Sequence, residues 1–184
     1  MKSDASNPRF FVALLPPLEV QEYASQVIQE LGDRYQTRTS KSLPHVTLQP
    51  PFQWQLQHIA RLEQALSEFG NQQSQVPVAL SGFGAFAPRV LYINVLKTVE
   101  LLALQTALAT HLEETLEIVD PKSKRAFSPH LTVASRNLTR QTFKQAWTEL
   151  QMRQVEFEFV GDRLTLLIHD GQRWQIRSEF PFHL

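Results

Sequence analysis

One pentapeptide occurs twice in this 184-residue chain, and it constrains the fold more than any other feature. Pro44-His45-Val46-Thr47-Leu48 returns as Pro129-His130-Leu131-Thr132-Val133. Successive side chains of an extended strand point to opposite faces. Val46 and Leu48 therefore share one face, while His45 and Thr47 share the other. Leu131 and Val133 divide from His130 and Thr132 in the same way. A strand of this kind buries its apolar face and presents an imidazole and a hydroxyl on the opposite side.

The surroundings of the two motifs repeat as well. In the first half, residues 9–15 form a near-continuous apolar run that reads as a buried strand. Val20, Ala24, Val27, Ile28 and Leu31 follow at helical spacing, with Gly32 as the expected stop. The first motif strand is expected to end at Pro50-Pro51, because proline cannot continue a ladder. Ile59, Leu62, Leu66 and Phe69 mark a second helix, and two strands follow at roughly 76–84 and 89–96. In the second half, Leu101, Leu104, Leu108, Leu112 and Leu116 stripe a long helix ahead of the second motif strand. Phe143, Ala146, Trp147 and Leu150 stripe another helix. Strands near 155–160, 164–169 and 173–180 finish the chain, with Asp170-Gly171 as a tight-turn signal between the last two.

Helix, short strand, helix, strand, strand thus reads twice, as an internal duplication does. Two units this small are expected to pack together rather than stand alone. The expected architecture is α+β: one bilobal domain over residues 1–184, with repeats at roughly 9–97 and 98–180 related by a pseudo-twofold axis. Two antiparallel sheets would flank a central cleft, with helices on the outer faces.

Under that symmetry the two His/Thr pairs meet across one groove. Such a set suits in-line attack at phosphorus. One neutral imidazole takes a proton from water or a hydroxyl, and one imidazolium gives a proton to the leaving oxygen. Histidine holds both forms near neutrality, its ordinary pKa being about 6.5. The threonine hydroxyls can donate to the non-bridging oxygens, where charge builds up. This chemistry calls for no metal and no cofactor. The two motifs are near-equivalent, so the residues do not divide acid from base.

Composition narrows the alternatives. The chain has no cysteine, which removes disulfides, thiolate zinc sites and cysteine nucleophiles. Its formal net charge is zero, which argues against a general nucleic-acid coat but leaves room for a local basic pocket. No apolar run reaches the ~20 residues of a membrane span, and the polar start lacks a secretory pattern, so a cytoplasmic location is expected. The duplication within one chain removes one need for a dimer, so a monomer is expected. The six glycines form neither GxxxxGK nor GxGxxG, and no histidine pair has metal-ligand spacing.

Paired His-x-Thr motifs, one in each half of a chain of this length, resemble the two-histidine (2H) phosphoesterase superfamily, and within it the 2′-5′ RNA ligase / cyclic phosphodiesterase branch. The resemblance extends to the opening strand Phe10-Phe11-Val12-Ala13-Leu14-Leu15-Pro16. It also takes in Gly82-Phe83-Gly84-Ala85-Phe86 running into Arg89-Val90-Leu91-Tyr92. It implies a V-shaped cleft with His45 and His130 as the catalytic pair and Thr47 and Thr132 as phosphate ligands. The implied activity is metal-independent opening of 2′,3′-cyclic phosphates on RNA ends or nucleotides to 2′-phosphates. The same site could cleave or join 2′-5′ linkages, or hold an RNA end or phosphorylated small molecule without turnover. One position departs from the family pattern: Ser135 stands where many relatives carry arginine, and Arg136 comes one residue later. Further candidates for substrate contact are Lys122, Lys124 and Arg125 as a basic lip, and Phe52, Phe86 and Tyr92 as ring surfaces for a base.

Overall fold

The computed structural model describes residues 7–39, 41–120 and 125–183. In chain order the elements are β1 (Arg9–Leu14), α1 (Leu18–Tyr35), β2 (Val46–Gln53), a 3-10 turn (Leu56–His58), α2 (Ile59–Gly70), β3 (Val76–Phe86) and β4 (Val90–Val95). Then come α3 (Val99–Leu116), β5 (His130–Ala134), α4 (Arg140–Leu150), β6 (Glu156–Gly161), β7 (Arg163–His169) and β8 (Trp174–Pro181).

Helical periodicity translates directly into burial. All five striped leucines of α3 are buried, each contributing about 1.5–3 kcal/mol relative to exposure. Thr98 caps this helix by accepting from the Leu101 N–H at 3.2 Å. Helix α1 does not stop at Gly32 but continues one turn further. That turn has partners in α4: Tyr35 and Arg34 both donate to Glu149, at 2.6 Å each. Gln36 takes the left-handed position at φ 57° and donates its N–H to the Gly32 carbonyl.

The strands form one antiparallel sheet in the order β6-β3-β4-β5-β2-β1-β7-β8. The α+β class and the antiparallel pairing are as expected, but the two expected sheets are continuous. They join because the motif strands pair with each other at Val46 and Leu131. On either side lies a group of four strands, and each group draws on both halves of the chain. β3 pairs with β4 and β6, while β7 pairs with β1. The helices cross over in the same way: α1 packs on β5, and α3 on β2 and β3. The order strand, helix, strand, helix occurs from Arg9 and again from Val90.

β2 runs through Pro50 and Pro51 rather than stopping before them. In this stretch its pairing with β1 shifts register twice, and its pairing with β5 is confined to Val46. Proline is tolerated at such irregular, singly paired positions because no ladder bond needs its missing N–H.

Phe10, Val12 and Leu14 enter the main core with the helices, while Phe11 and Ala13 join Leu167 in a small cluster on the opposite face. Val46, Leu48, Leu131 and Val133 belong to the main core. The sheet therefore has one helix-covered face and one that carries the histidines. Among the described residues, no helix is long and apolar enough to cross a membrane.

Candidate active site

The antiparallel pair at Val46 and Leu131 sets the geometry of the site. Carried one residue each way, the register places His45 opposite Thr132 and Thr47 opposite His130. Such neighbours have Cβ atoms about 4.5–5.5 Å apart. Four polar side chains thus share the helix-free face as a two-by-two block. All four are half-buried.

Each imidazole is oriented by its own chain. His45 Nδ1 lies 2.7 Å from the Leu43 carbonyl, and His130 Nδ1 lies 2.7 Å from the Ser128 carbonyl. A carbonyl only accepts, so Nδ1 carries the hydrogen in both rings and each neutral ring keeps its lone pair on Nε2. The Ser42 hydroxyl is 3.3 Å from His45 Nδ1. Phe11 packs on His45 at 4.7 Å between ring centroids. His130 meets Phe86 edge-on at 5.0 Å and Tyr92 at 5.3 Å.

Burial holds both imidazoles below their ordinary pKa, against the carbonyl bonds, which favour the charged form. At His45 a charge on His130 adds to the depression. The two rings are therefore electrostatically coupled, and burial favours the neutral form of both.

A cleft of about 620 Å³ opens on this face. His45, Thr47 and Thr132 line it, together with Ser135, Arg136, Arg9, Phe11, Lys41, His169 and Trp174. Arg9 and Arg136 both act electrostatically on His169. Arg136 is directed here by a backbone bridge to Arg38: its N–H donates to the Arg38 carbonyl at 2.8 Å, and the Arg38 N–H returns the bond at 3.0 Å. Asn137, at φ 60°, turns the chain immediately afterwards.

Other candidates lie elsewhere. Phe86 and Tyr92 flank His130 and pack on each other at 4.6 Å. Phe52 packs on fully buried Phe10 at 6.2 Å and lies half-buried against the main core. Arg125 is exposed and is not part of the cleft lining. Lys122 and Lys124 lie outside the described residues.

Sequence reasoning missed Arg9, Phe11, Lys41, His169 and Trp174. Arg9 and Phe11 share a face by alternation in β1, a signal that an apolar run obscures. His169 reads as a hairpin end, and it is one. Only the pairing of β1, β7 and β8 brings these side chains to the cleft.

Residues 16–173 match the family model described as the 2′-5′ RNA ligase superfamily. The chain belongs to this superfamily. It is the family to which the paired motifs pointed. A Geobacillus sp. (strain WCH70) protein named "Putative phosphoesterase" is 26% identical over 175 residues, covering 94% of this chain and 95% of the relative. A Bacillus licheniformis protein of the same description is 28% identical over 165 residues, covering 86% and 94%. Among solved structures, TT0787 of Thermus thermophilus aligns with a TM-score of 0.68 at 20% identity, covering 95% of this chain and 97% of that one. Escherichia coli LigT in apo form also aligns at 0.68, with 16% identity and coverage of 98% and 100%. These structures establish that this superfamily member has a LigT-like fold.

Proposed function

We propose that the chain is a metal-independent phosphodiesterase acting on 2′,3′-cyclic phosphates of RNA ends or nucleotides. The observation that carries this reading is the two-by-two block of His45, Thr47, His130 and Thr132 on one face of adjacent antiparallel strands. Superfamily membership supports a phosphoesterase-type enzyme. LigT structures described as complexes with 3′-AMP, ATP, NADP+ and phosphate support a nucleotide as the ligand.

In the reaction a water oxygen attacks phosphorus and the bond from phosphorus to the 3′-oxygen breaks. Nε2 of one neutral imidazole takes the water proton. The other, as imidazolium, gives its proton to the 3′-oxygen, so the product is a 2′-phosphate beside a free 3′-hydroxyl. Thr47 and Thr132 donate to the non-bridging oxygens. Burial favours the neutral form of both rings before substrate arrives, and the negative charge of the bound diester favours protonation of one of them. Exchange with solvent restores the starting protonation. The family also favours a second nucleophile in the same site. If a 5′-hydroxyl replaces water, the same displacement forms a 2′-5′ linkage.

The test is a substrate panel assayed in EDTA: 2′,3′-cyclic nucleotides, 3′,5′-cyclic nucleotides and 2′-5′ oligonucleotides. Turnover of the 2′,3′-cyclic substrate is expected to persist in EDTA. His45→Ala and His130→Ala should each lower it by about 10²–10⁴. Activity that disappears in EDTA and returns with divalent ions would contradict the mechanism. So would a double histidine variant with wild-type turnover. Tight binding of the cyclic nucleotide without any product would make the cleft a binding module instead.

A further inference from the structure

We propose that the end of the cleft away from His130 is a second anion subsite, built by Arg9, Lys41, Arg136 and His169, that takes a further phosphate ester of the same substrate. The proposal rests on the reading that the His/Thr block holds the reacting phosphate.

The register separates the two places. β1 pairs Ala13 with Thr47. Its pairing of Phe10 with Ile168, carried one residue outward, sets Arg9 opposite His169. His169 pairs in turn with Trp174. Arg9 and Ala13 are four residues apart on one strand, on the order of 13 Å. A single phosphate on Thr47 therefore leaves the Arg9–His169 row free for another group. The cleft, at about 620 Å³, falls within the range of roughly 300–1,000 Å³ typical of small-molecule sites and is far larger than one phosphate needs.

Among the described residues, no ion pair joins Arg9, Lys41 or Arg136 to a carboxylate. The acidic neighbour is Asp170, and its carboxylate is already engaged. It accepts from the N–H groups of Gln172 and Arg173 at 2.8 Å each, and from the Gln175 side chain. It also lies 4.0 Å from the Arg173 guanidinium. Like charges gathered in a concave site raise the local concentration of anions.

The donors are held in place before any ligand arrives. The Arg9 guanidinium lies over the Trp174 ring, 5.6 Å from its centroid. Trp174 is itself held edge-on by Phe11 at 4.6 Å and His169 at 5.0 Å. The Trp174 backbone N–H donates to the Lys41 carbonyl at 2.8 Å, which fastens the Lys41 loop to the same strand. His169 accepts from the Gly171 N–H through Nδ1 at 3.1 Å, so its hydrogen resides on Nε2 as a donor. Burial, Arg9 and Arg136 all hold the ring below its ordinary pKa, opposed by Asp170. The substrate class is therefore a nucleotide or RNA end carrying a second phosphate ester one nucleoside away from the reacting one.

The test is calorimetric binding of adenosine 2′-monophosphate and adenosine 2′,5′-bisphosphate to the full chain at low salt. The bisphosphate is expected to bind at least about tenfold more tightly. Arg9→Gln and Arg136→Gln should each reduce that ratio to about two- or threefold, and the double variant should bring it to unity. Because Arg9→Gln also loosens Trp174, Lys41→Gln provides a variant outside that packing and should lower the ratio as well. Equal affinities for the two ligands in the wild-type chain would overturn the subsite and leave the catalytic reading intact. A bisphosphate preference that survives in the double variant would overturn the residue assignment. Failure to bind either ligand would overturn both readings.

Discussion

Replacing Gly84 by alanine reaches His130 through one intermediary. β3 and β4 pair Gly84 with Tyr92, and the tyrosine ring lies over the glycine. A Cβ at position 84 would sit 2.3 Å from Tyr92 Cε2, 2.5 Å from Cζ and 2.7 Å from the hydroxyl oxygen. Carbon atoms rest at about 3.5–4.0 Å, so the ring must retreat by roughly 1.2 Å or swing away. It cannot do so quietly, because its centroid is 5.3 Å from His130 and 4.6 Å from Phe86, itself 5.0 Å from His130. Overpacking of this kind costs about 1–3 kcal/mol of stability. If His130 acts as proposed, a displacement near 1 Å beside its ring lowers turnover by up to about 10². The assay is turnover of a 2′,3′-cyclic nucleotide, with thermal unfolding alongside, for Gly84→Ala, Tyr92→Ala and the two combined. Removing the ring removes the clash, so the double variant should recover stability relative to Gly84→Ala, with a coupling of about 1–3 kcal/mol. Wild-type melting and turnover in Gly84→Ala would refute the reasoning, as would strictly additive effects in the cycle.

The pH profile offers a second check. Under the proposed mechanism the free enzyme needs one protonated and one neutral imidazole, and both are held below the ordinary value of about 6.5. Activity in kcat/KM then declines as pH rises through the higher apparent pKa of the coupled pair. Its maximum is expected on the acid side of about 6.5, with the kcat maximum displaced upward by the bound anion; a kcat/KM optimum near pH 8 would contradict this. Thr47→Ala and Thr132→Ala should each cost about 10–10² in turnover, read from steady-state kinetics, for one charge-assisted hydrogen bond of ~1.5–3 kcal/mol. Depressed histidine pKa values also make stability pH-dependent: the contribution is present above about 6.5 and is lost as pH falls below it, because the unfolded chain then binds more protons. The melting temperature should therefore drop between pH 7.5 and 5, and less steeply in a His45→Gln/His130→Gln variant. In the core, Leu108→Ala should cost about 2–5 kcal/mol by denaturant titration.

Local periodicity determined much of this protein before any tertiary contact was known. Which side chains share a face depends only on alternation in strands and the 3.6-residue turn in helices. For that reason Val46, Leu48, Leu131 and Val133 separate from the histidines and threonines in the sequence itself, and the α3 leucines declare their burial. The duplicated motif likewise points to two like strands and to a family. Pairing between distant segments was not legible in this way. Nothing local says that β3 pairs with β6, or that β7 joins β1. Gly32 and Pro50-Pro51 carry local stop signals, yet α1 gains Glu149 as a partner and β2 needs no ladder bond at its prolines. The one contact at Val46 and Leu131 turned two expected sheets into one. Arg9, Lys41, Arg136 and His169 meet at the cleft for the same reason. Their proximity is set by strand order and register, which depend on the burial of the whole core and have no counterpart in the spacing of those residues along the chain.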